Sequence, residues 1–290
     1  MTPLKAKYIR DLTVRGRAQR TQRAYTRYVS EFARYYKRSP ELISYEEVTD
    51  WLYHLITERQ LSASSVNVAV NAVRFLYGIT LGRNTEGLTT SVPHMKQAVR
   101  RPEIYARSEL EAILTAPNQP RDRAFLMTVY SCGLRVAEAR DLKTSDIDRA
   151  RMQLRVRNGK GGKGRVLPLS NRLLKELVDY WRIQRQGKTG HDSPWLFLGY
   201  QAEPISTTTG QNIYYRAVKK SGVRCKGGIH TLRHSFATHL IESGVELPVV
   251  QRLMGHAKLT TTTLYLHVTE SRLAEVHSPL DLIDTSHLGR

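Results

Sequence analysis

The sequence predicts a mainly α-helical chain with a small β-sheet: an N-terminal all-α helical bundle (residues 1–95), a linker (96–107) and an α+β domain (108–290). Three observations carry this. Apolar residues recur at helical spacing through most of the chain. Two short β-like runs, MQLRVR and RVLPLS, flank the turn NGKGGKG and read as a hairpin, or as two strands of a small sheet. Between residues 80 and 107, Gly82, Gly87, Pro93 and Pro102 interrupt the chain where a helix would otherwise continue. At 290 residues, two domains of ordinary size fit the length.

Residues 1–20 are basic and poor in apolar periodicity, and the first forty residues hold eleven Lys or Arg against two acids. A helical pattern begins at Thr21, with Tyr25, Tyr28, Val29, Phe32, Tyr35 and Tyr36 on one broad face. Arg20, Arg23, Arg27 and Arg34 fall largely off that face, as a solvated basic surface or as one that meets a nucleic-acid backbone. Ser44 and Glu47 form a capping-box pattern ahead of Val48, Trp51, Leu52, Leu55 and Ile56. A third helix begins at Ser62 or Ser64 and buries Val66, Ala69, Val70, Val73, Leu76 and Tyr77. Asn67, Asn71 and Arg74 line its other side; such a row can read base edges or hold phosphates, and it equally fits an ordinary surface.

In the second domain, Ser108 and Glu111 suggest a capping box before Leu110, Ile113 and Leu114. A helix follows from about Arg121 to Ser131, broken by Gly133, and LRVAEARDL continues as a short helix with Arg135 at its start and Glu138 three residues on. Beyond the glycine-lysine turn, with Lys160 and Lys163 at its tip, come a helix from about Asn171 to Gln186 (Leu173, Leu174, Leu177, Val178 and Trp181 inward), a polar loop, the buried run WLFL and a helix from Thr207 to Ser221. HTLRHSFATHLIESG is a further helix that stops at Gly244, and VELPVVQRLMGH is a shorter one that ends at Gly255.

The net charge of +19 argues for a polyanionic partner, with nucleic acid the default and a ribosome-associated basic protein the blander alternative. The excess is +8 over residues 1–100 and +11 over the remainder, so both halves can touch one polymer. Two cysteines, Cys132 and Cys225, are too few for a disulfide scaffold or a zinc cluster and fit a reducing cytosol. With no apolar signal core and no run of transmembrane length, a cytoplasmic protein without membrane contact is expected.

The chemistry concentrates between His230 and Tyr265. His230 and Arg233 are three apart and share a face at a helix start, where free amides and the helix dipole favour an anion. The arginine fork matches phosphate oxygens. Tyr265 can attack phosphorus if its surroundings ease phenolate formation. Taken singly, each residue also reads as packing or capping. His230, His234, His239 and His256 raise the question of a metal, but no cysteine or carboxylate cluster joins them and neighbouring arginines repel a cation; no metal and no cofactor is expected.

The combination His230-Thr231-Leu232-Arg233-His234, Leu253-Met254-Gly255-His256 and Tyr265-Leu266-His267, with Tyr265 nine residues after His256, resembles the carboxy-terminal signature of the tyrosine recombinases, also called the phage integrase family. GLRVAE resembles the family's first catalytic box and GKGGKGR its strand turn. The helical bundle is similar to the family's core-binding (SAM-like) domain, and TQRAYTRYVSEFARYY and LSASSVNVAVNAVRFLY resemble integron-type integrases. The chain also has a likeness to Xer-type enzymes.

The resemblance implies a DNA breaking-rejoining fold and a site-specific recombinase acting through a 3′-phosphotyrosyl intermediate. It assigns catalysis to Arg135, Lys160, His230, Arg233, His256 and Tyr265, a phosphate contact to Lys163 and an orienting role to Glu138. It implies double-stranded DNA as partner and a homotetramer on synapsed sites, or a tetramer shared with a paralogous recombinase. It also implies a C-terminal segment docked on a neighbouring subunit, although a disordered tail fits the sequence as well. A type IB topoisomerase-like enzyme shares the cleavage chemistry without synapsis, and product topology separates the two. A catalytically silent DNA-binding protein is the third reading; here all six catalytic positions are filled.

Overall fold

The computed structural model describes residues 2–84, 86–87, 93–96, 102–157, 164–185 and 193–255. The chain divides into two compact units, Met1–Arg100 and Arg101–Arg290. In the first unit the described residues form α1 (Pro3–Val14), α2 (Gln19–Tyr36), α3 (Tyr45–Thr57) and α4 (Ala63–Phe75), the last continued by a π-helical turn over Leu76–Thr80.

Helix α1 is a correction, because residues 1–20 lack apolar periodicity. Thr2 caps the helix, Pro3 opens it, and it buries only Tyr8 and Leu12, one turn apart. Two residues suffice because the Tyr8 hydroxyl donates to the Ala72 carbonyl oxygen at 2.8 Å, pinning α1 to α4. Around Phe32 and Trp51, whose rings lie 4.9 Å apart, α2, α3 and α4 close one core. The expected box on α3 forms in both directions: Glu47 N–H donates to Ser44 Oγ at 3.2 Å, and Ser44 N–H to Glu47 Oε2 at 2.9 Å. The expected stripe is buried, with Val66, Ala69, Val70 and Val73 on α4 and Leu76 and Tyr77 on the π-helical turn that follows.

The second unit comprises α5 (Arg107–Thr115), α6 (Pro120–Ser131), α7 (Val136–Arg140), strands β1 (Ile147–Asp148), β2 (Gln153–Val156) and β3 (Arg165–Pro168), then α8 (Asn171–Arg185), α9 (Thr207–Ser221), α10 (His230–Glu242) and α11 (Leu247–Met254). The strands form an antiparallel sheet in the order β1-β2-β3, so the expected hairpin gains a third, two-residue strand. Leu154 pairs with Leu167 and Val156 with Arg165, which places all four on the core-facing side. WLFL is coil held by two isolated bridges, Lys143 to Trp195 and Leu198 to Pro204, with Leu196 and Phe197 buried.

Two details differ from expectation. The cap of α5 sits at Ala106, whose N–H donates to Glu109 Oε2 at 2.7 Å, not at Ser108 with Glu111. Glu109 also meets Lys226 Nζ at 2.6 Å, and that pair fixes the frame of the helix start. On α8, Tyr180 is buried while Trp181 is 45% exposed, because Tyr180 stacks on Phe197 with ring centroids 5.9 Å apart. Among the described residues, no helix is long and apolar enough to cross a membrane.

Candidate active site

The site grows from two glycine turns. After α6 the chain reverses at Gly133, where φ is +55° and a Cβ would lie 2.3 Å from Phe236 Cδ1. Gly133 N–H bonds to the Tyr130 carbonyl at 3.1 Å and Leu134 N–H to that of Val129 at 3.0 Å, which closes the helix end. This turn leaves the Gly133 carbonyl facing α10 and sets Arg135 at the N-cap of α7. Gly255, with φ +61°, ends α11, and a Cβ there would meet Arg165 Nη1 at 3.0 Å.

Glu138, 7% exposed, is the centre of the charge arrangement. Arg135 Nη1 donates to its Oε1 at 2.8 Å, and the Arg135 N–H to its Oε2 at 2.9 Å. Arg165 makes a two-bond fork with it, Nη1 to Oε1 at 3.0 Å and Nη2 to Oε2 at 2.8 Å. Arg233 Nη1 stands 3.7 Å from Oε2. Burial opposes the charge on Glu138, but the Arg165 fork, the Arg135 amide and the Arg233 charge outweigh it and hold the carboxyl at about 2.

Arg233 is 4% exposed and spans two elements: Nη1 donates to the Gly133 carbonyl and Nη2 to that of Met254. Arg165 Nε donates to the Leu253 carbonyl at 2.8 Å. Two arginines thus satisfy end carbonyls of α11 at the negative end of its dipole.

The start of α10 is unlike the anion site that spacing suggests. The amides of Thr231 and Leu232 are taken by the carbonyls of Gly228 (2.9 Å) and Ile229 (3.1 Å) in a tight turn, so they are not open donors. His230 is exposed in surface terms yet enclosed by surrounding chain. That enclosure, then Arg233 and Arg135, push its pKa below the ordinary histidine range, against the opposing pull of Glu138. Burial, then His230 and Arg233, push His234 down to about 4. His239 is buried, with Nδ1 2.9 Å from the Tyr130 hydroxyl. Among the described residues no group of three His, Cys, Asp or Glu is placed to hold a metal ion.

Arg135, Glu138, His230 and Arg233 therefore belong to one neighbourhood, linked by hydrogen bonds and electrostatic interactions. Lys160, Lys163, His256 and Tyr265 lie outside the described residues. Arg165 was missed, although it closes the GKGGKGR run; its signal was an arginine on the inward face of a strand. In the first unit, Arg20, Arg23 and Arg27 are exposed. The row on α4 is engaged with the chain itself. Asn67 clamps the Met95 backbone (Nδ2 to O 3.1 Å, Met95 N–H to Oδ1 2.8 Å), Asn71 Oδ1 is 3.0 Å from His94 Nε2, and Arg74 Nη1 is 3.4 Å from His94 Nδ1.

A two-unit, mostly helical chain with a small sheet and an arginine-glutamate-histidine cluster is suited to holding a phosphodiester, and its relatives place it in the class of DNA strand breaking and rejoining enzymes. The profile described as Phage integrase family matches residues 104–272, and Phage integrase, N-terminal SAM-like domain matches residues 4–86. The chain is 35% identical over 284 residues to the putative integrase/recombinase y4qK of Sinorhizobium fredii, covering 98% of this chain and 90% of the relative. It is 31% identical to tyrosine recombinase XerA of Pyrococcus horikoshii, covering 94% and 92%. Among solved structures it is similar to XerH bound to a palindromic difH substrate in a post-cleavage complex (TM-score 0.72, 24% identity, 88% of this chain and 78% of that one). It is similar also to a lambda integrase tetramer bound to a Holliday junction (0.73, 23%, 90% and 76%). The chain belongs to the phage integrase family, the tyrosine recombinases, and its function is site-specific DNA cleavage and rejoining through a phosphotyrosyl intermediate.

Proposed function

We propose that this chain carries out recombination with the six residues of the family signature, and one observation carries the assignment of roles. Glu138 gathers Arg135 and Arg233 from separate elements into one buried arrangement, leaving an excess of positive charge suited to a phosphodiester. Tyr265 Oη attacks the scissile phosphorus and forms a 3′-phosphotyrosyl bond as the bond to the 5′-oxygen breaks. Lys160 gives that oxygen its proton. Arg135 and Arg233 hold the non-bridging oxygens, and their charge is worth most in the transition state. The lowered pKa of His230 keeps its ring neutral near neutral pH, so it can accept or orient the tyrosine proton. His256 hydrogen-bonds the phosphate. Attack by a partner strand's 5′-hydroxyl reverses these steps, and the phosphodiester energy is conserved in the covalent link.

Double-stranded DNA is the partner in this reading, supported by the net charge of +19 and by the DNA-bound relatives of the same fold. The lambda integrase tetramer supports a homotetramer on synapsed sites. Residues 1–95 act as the core-binding domain and 108–290 as the catalytic domain, joined by 96–107. The absence of cysteine-rich patterning supports a cytoplasmic setting. Lys163 adds a phosphate contact beside Lys160.

The test is a suicide-substrate assay on nicked duplexes tiled across the DNA flanking its own gene. Wild-type protein is expected to leave a denaturant-resistant protein–DNA adduct that Tyr265→Phe does not form. An adduct with both proteins would assign the nucleophile elsewhere.

A further inference from the structure

We infer that Arg165 is a positioning residue of the reaction: it locks Glu138 face-on so that Arg135 and Arg233 are held for the phosphate instead of being captured by the carboxylate. The inference rests on the phosphotyrosyl reading above and adds a residue to it.

Glu138 is a single carboxylate among three guanidinium groups. A bidentate arginine fork is the strongest arrangement available to a carboxylate, and only one arginine can take it face-on. Arg165 takes it, at 3.0 and 2.8 Å. Arg135 is left with one side-chain bond to Oε1, and Arg233 with a 3.7 Å approach while its fork rests on two carbonyl oxygens. The division of labour is therefore set by Arg165. Remove its fork, and Glu138 offers both oxygens to the arginines meant for substrate.

Its place in the strand and two further side-chain contacts put this residue at a junction. It is the first residue of β3, which pairs with β2 through Val156 opposite Arg165. Its Nε anchors the Leu253 carbonyl, at the end of the helix that leads to Gly255 and His256. Its Nη1 lies 3.0 Å from where a Cβ on Gly255 would stand, a close approach that adds to the left-handed φ of +61° in favouring glycine there. One residue thus ties together Glu138 on α7, strand β3 and the end of α11. Its side chain is 8% exposed, and an arginine on the core-facing side of a strand has no solvation to gain there.

Lysine cannot substitute. Its ammonium is a point charge that cannot hold both carboxylate oxygens in a planar fork and a carbonyl on a separate element at once. Arg165→Lys keeps the charge and much of the volume while losing the geometry, so it separates positioning from simple charge balance.

The experiment compares wild type, Arg165→Lys and Arg165→Lys/Glu138→Gln on the nicked duplex identified above. DNA affinity, single-turnover adduct formation and thermal unfolding are measured for each. Expected is a loss of adduct rate of ~30-fold or more in Arg165→Lys, about 2 kcal/mol of transition-state stabilisation, with DNA affinity within about threefold of wild type. The double variant keeps the side-chain carbonyl oxygen as an acceptor that orients Arg135 but removes the charge that would capture the guanidinium. It should therefore recover part of the rate despite a lower melting temperature. A merely structural role predicts a different outcome: adduct rate and DNA affinity fall together, in step with melting temperature, and Glu138→Gln gives no recovery. That result, or an Arg165→Lys rate equal to wild type, overturns the inference alone. No adduct from the wild-type protein on any duplex overturns the phosphotyrosyl reading and the inference with it.

Discussion

Glu138 shows how far a single residue can be read. GLRVAE placed it beside Arg135, and an Arg–Glu pair three residues apart on a helix start is legible from spacing alone. That the same carboxylate also holds Arg165 and meets Arg233 is not, because those partners come from other elements. The charge arrangement predicts a pH signature. The folded pKa of about 2 lies below the unfolded glutamate value, so the stabilisation is fully present above about 4.5 and is lost as pH falls toward 2. Glu138→Gln is expected to flatten unfolding stability over that window. At neutral pH it should destabilise the chain by roughly 3 kcal/mol, since it strands buried guanidinium groups. Denaturant unfolding from pH 2 to 7 measures both; equal slopes for the two proteins would refute the assignment.

At the scale of elements, periodicity located α3, α4, α9 and α10 well because each buries a repeating apolar stripe, and it located α2 although only Tyr28 and Phe32 of the expected face are fully buried and Tyr35 is 45% exposed. It failed where burial rests on few residues or on a distant partner. Helix α1 is held by Tyr8 and Leu12 against α4, and Tyr180 displaces Trp181 from the core by stacking on Phe197. On the outer side of α2, Arg20, Arg23 and Arg27 remain exposed, and Arg27 has only a 3.8 Å approach to Glu31 as its ion pair. If these three meet the DNA backbone, replacing all of them with alanine should reduce the slope of log affinity against log salt by about 1 per residue. Fluorescence anisotropy on a duplex of fixed sequence reads this slope. An unchanged slope would return the three to the role of a solvated face.

Across the whole molecule, each unit has its own core, one around Phe32 and Trp51 and the other around Phe125, Tyr180 and Phe197. Separate cores predict separable damage. Phe32→Ala should destabilise the first unit by about 3–5 kcal/mol. Cys132, buried in the second, should stay as slow toward a thiol reagent as in wild type, with exposed Cys225 reacting quickly in both as the internal reference. Faster Cys132 labelling in Phe32→Ala would mean that the units unfold as one.

The sequence by itself determined the helices with full apolar stripes, the glycine stops, the hairpin and the family signature. These are local in the chain, carried by spacing and by residues that few backbone conformations tolerate. Only the tertiary structure decided that Arg165 shares Glu138, that Arg233 bridges Gly133 and Met254, and that Asn67 serves Met95 in place of an open surface. Those outcomes depend on which of many arginines and carbonyls the folded path brings within about 3 Å of one another, where a hydrogen bond forms. A one-dimensional pattern does not encode that proximity.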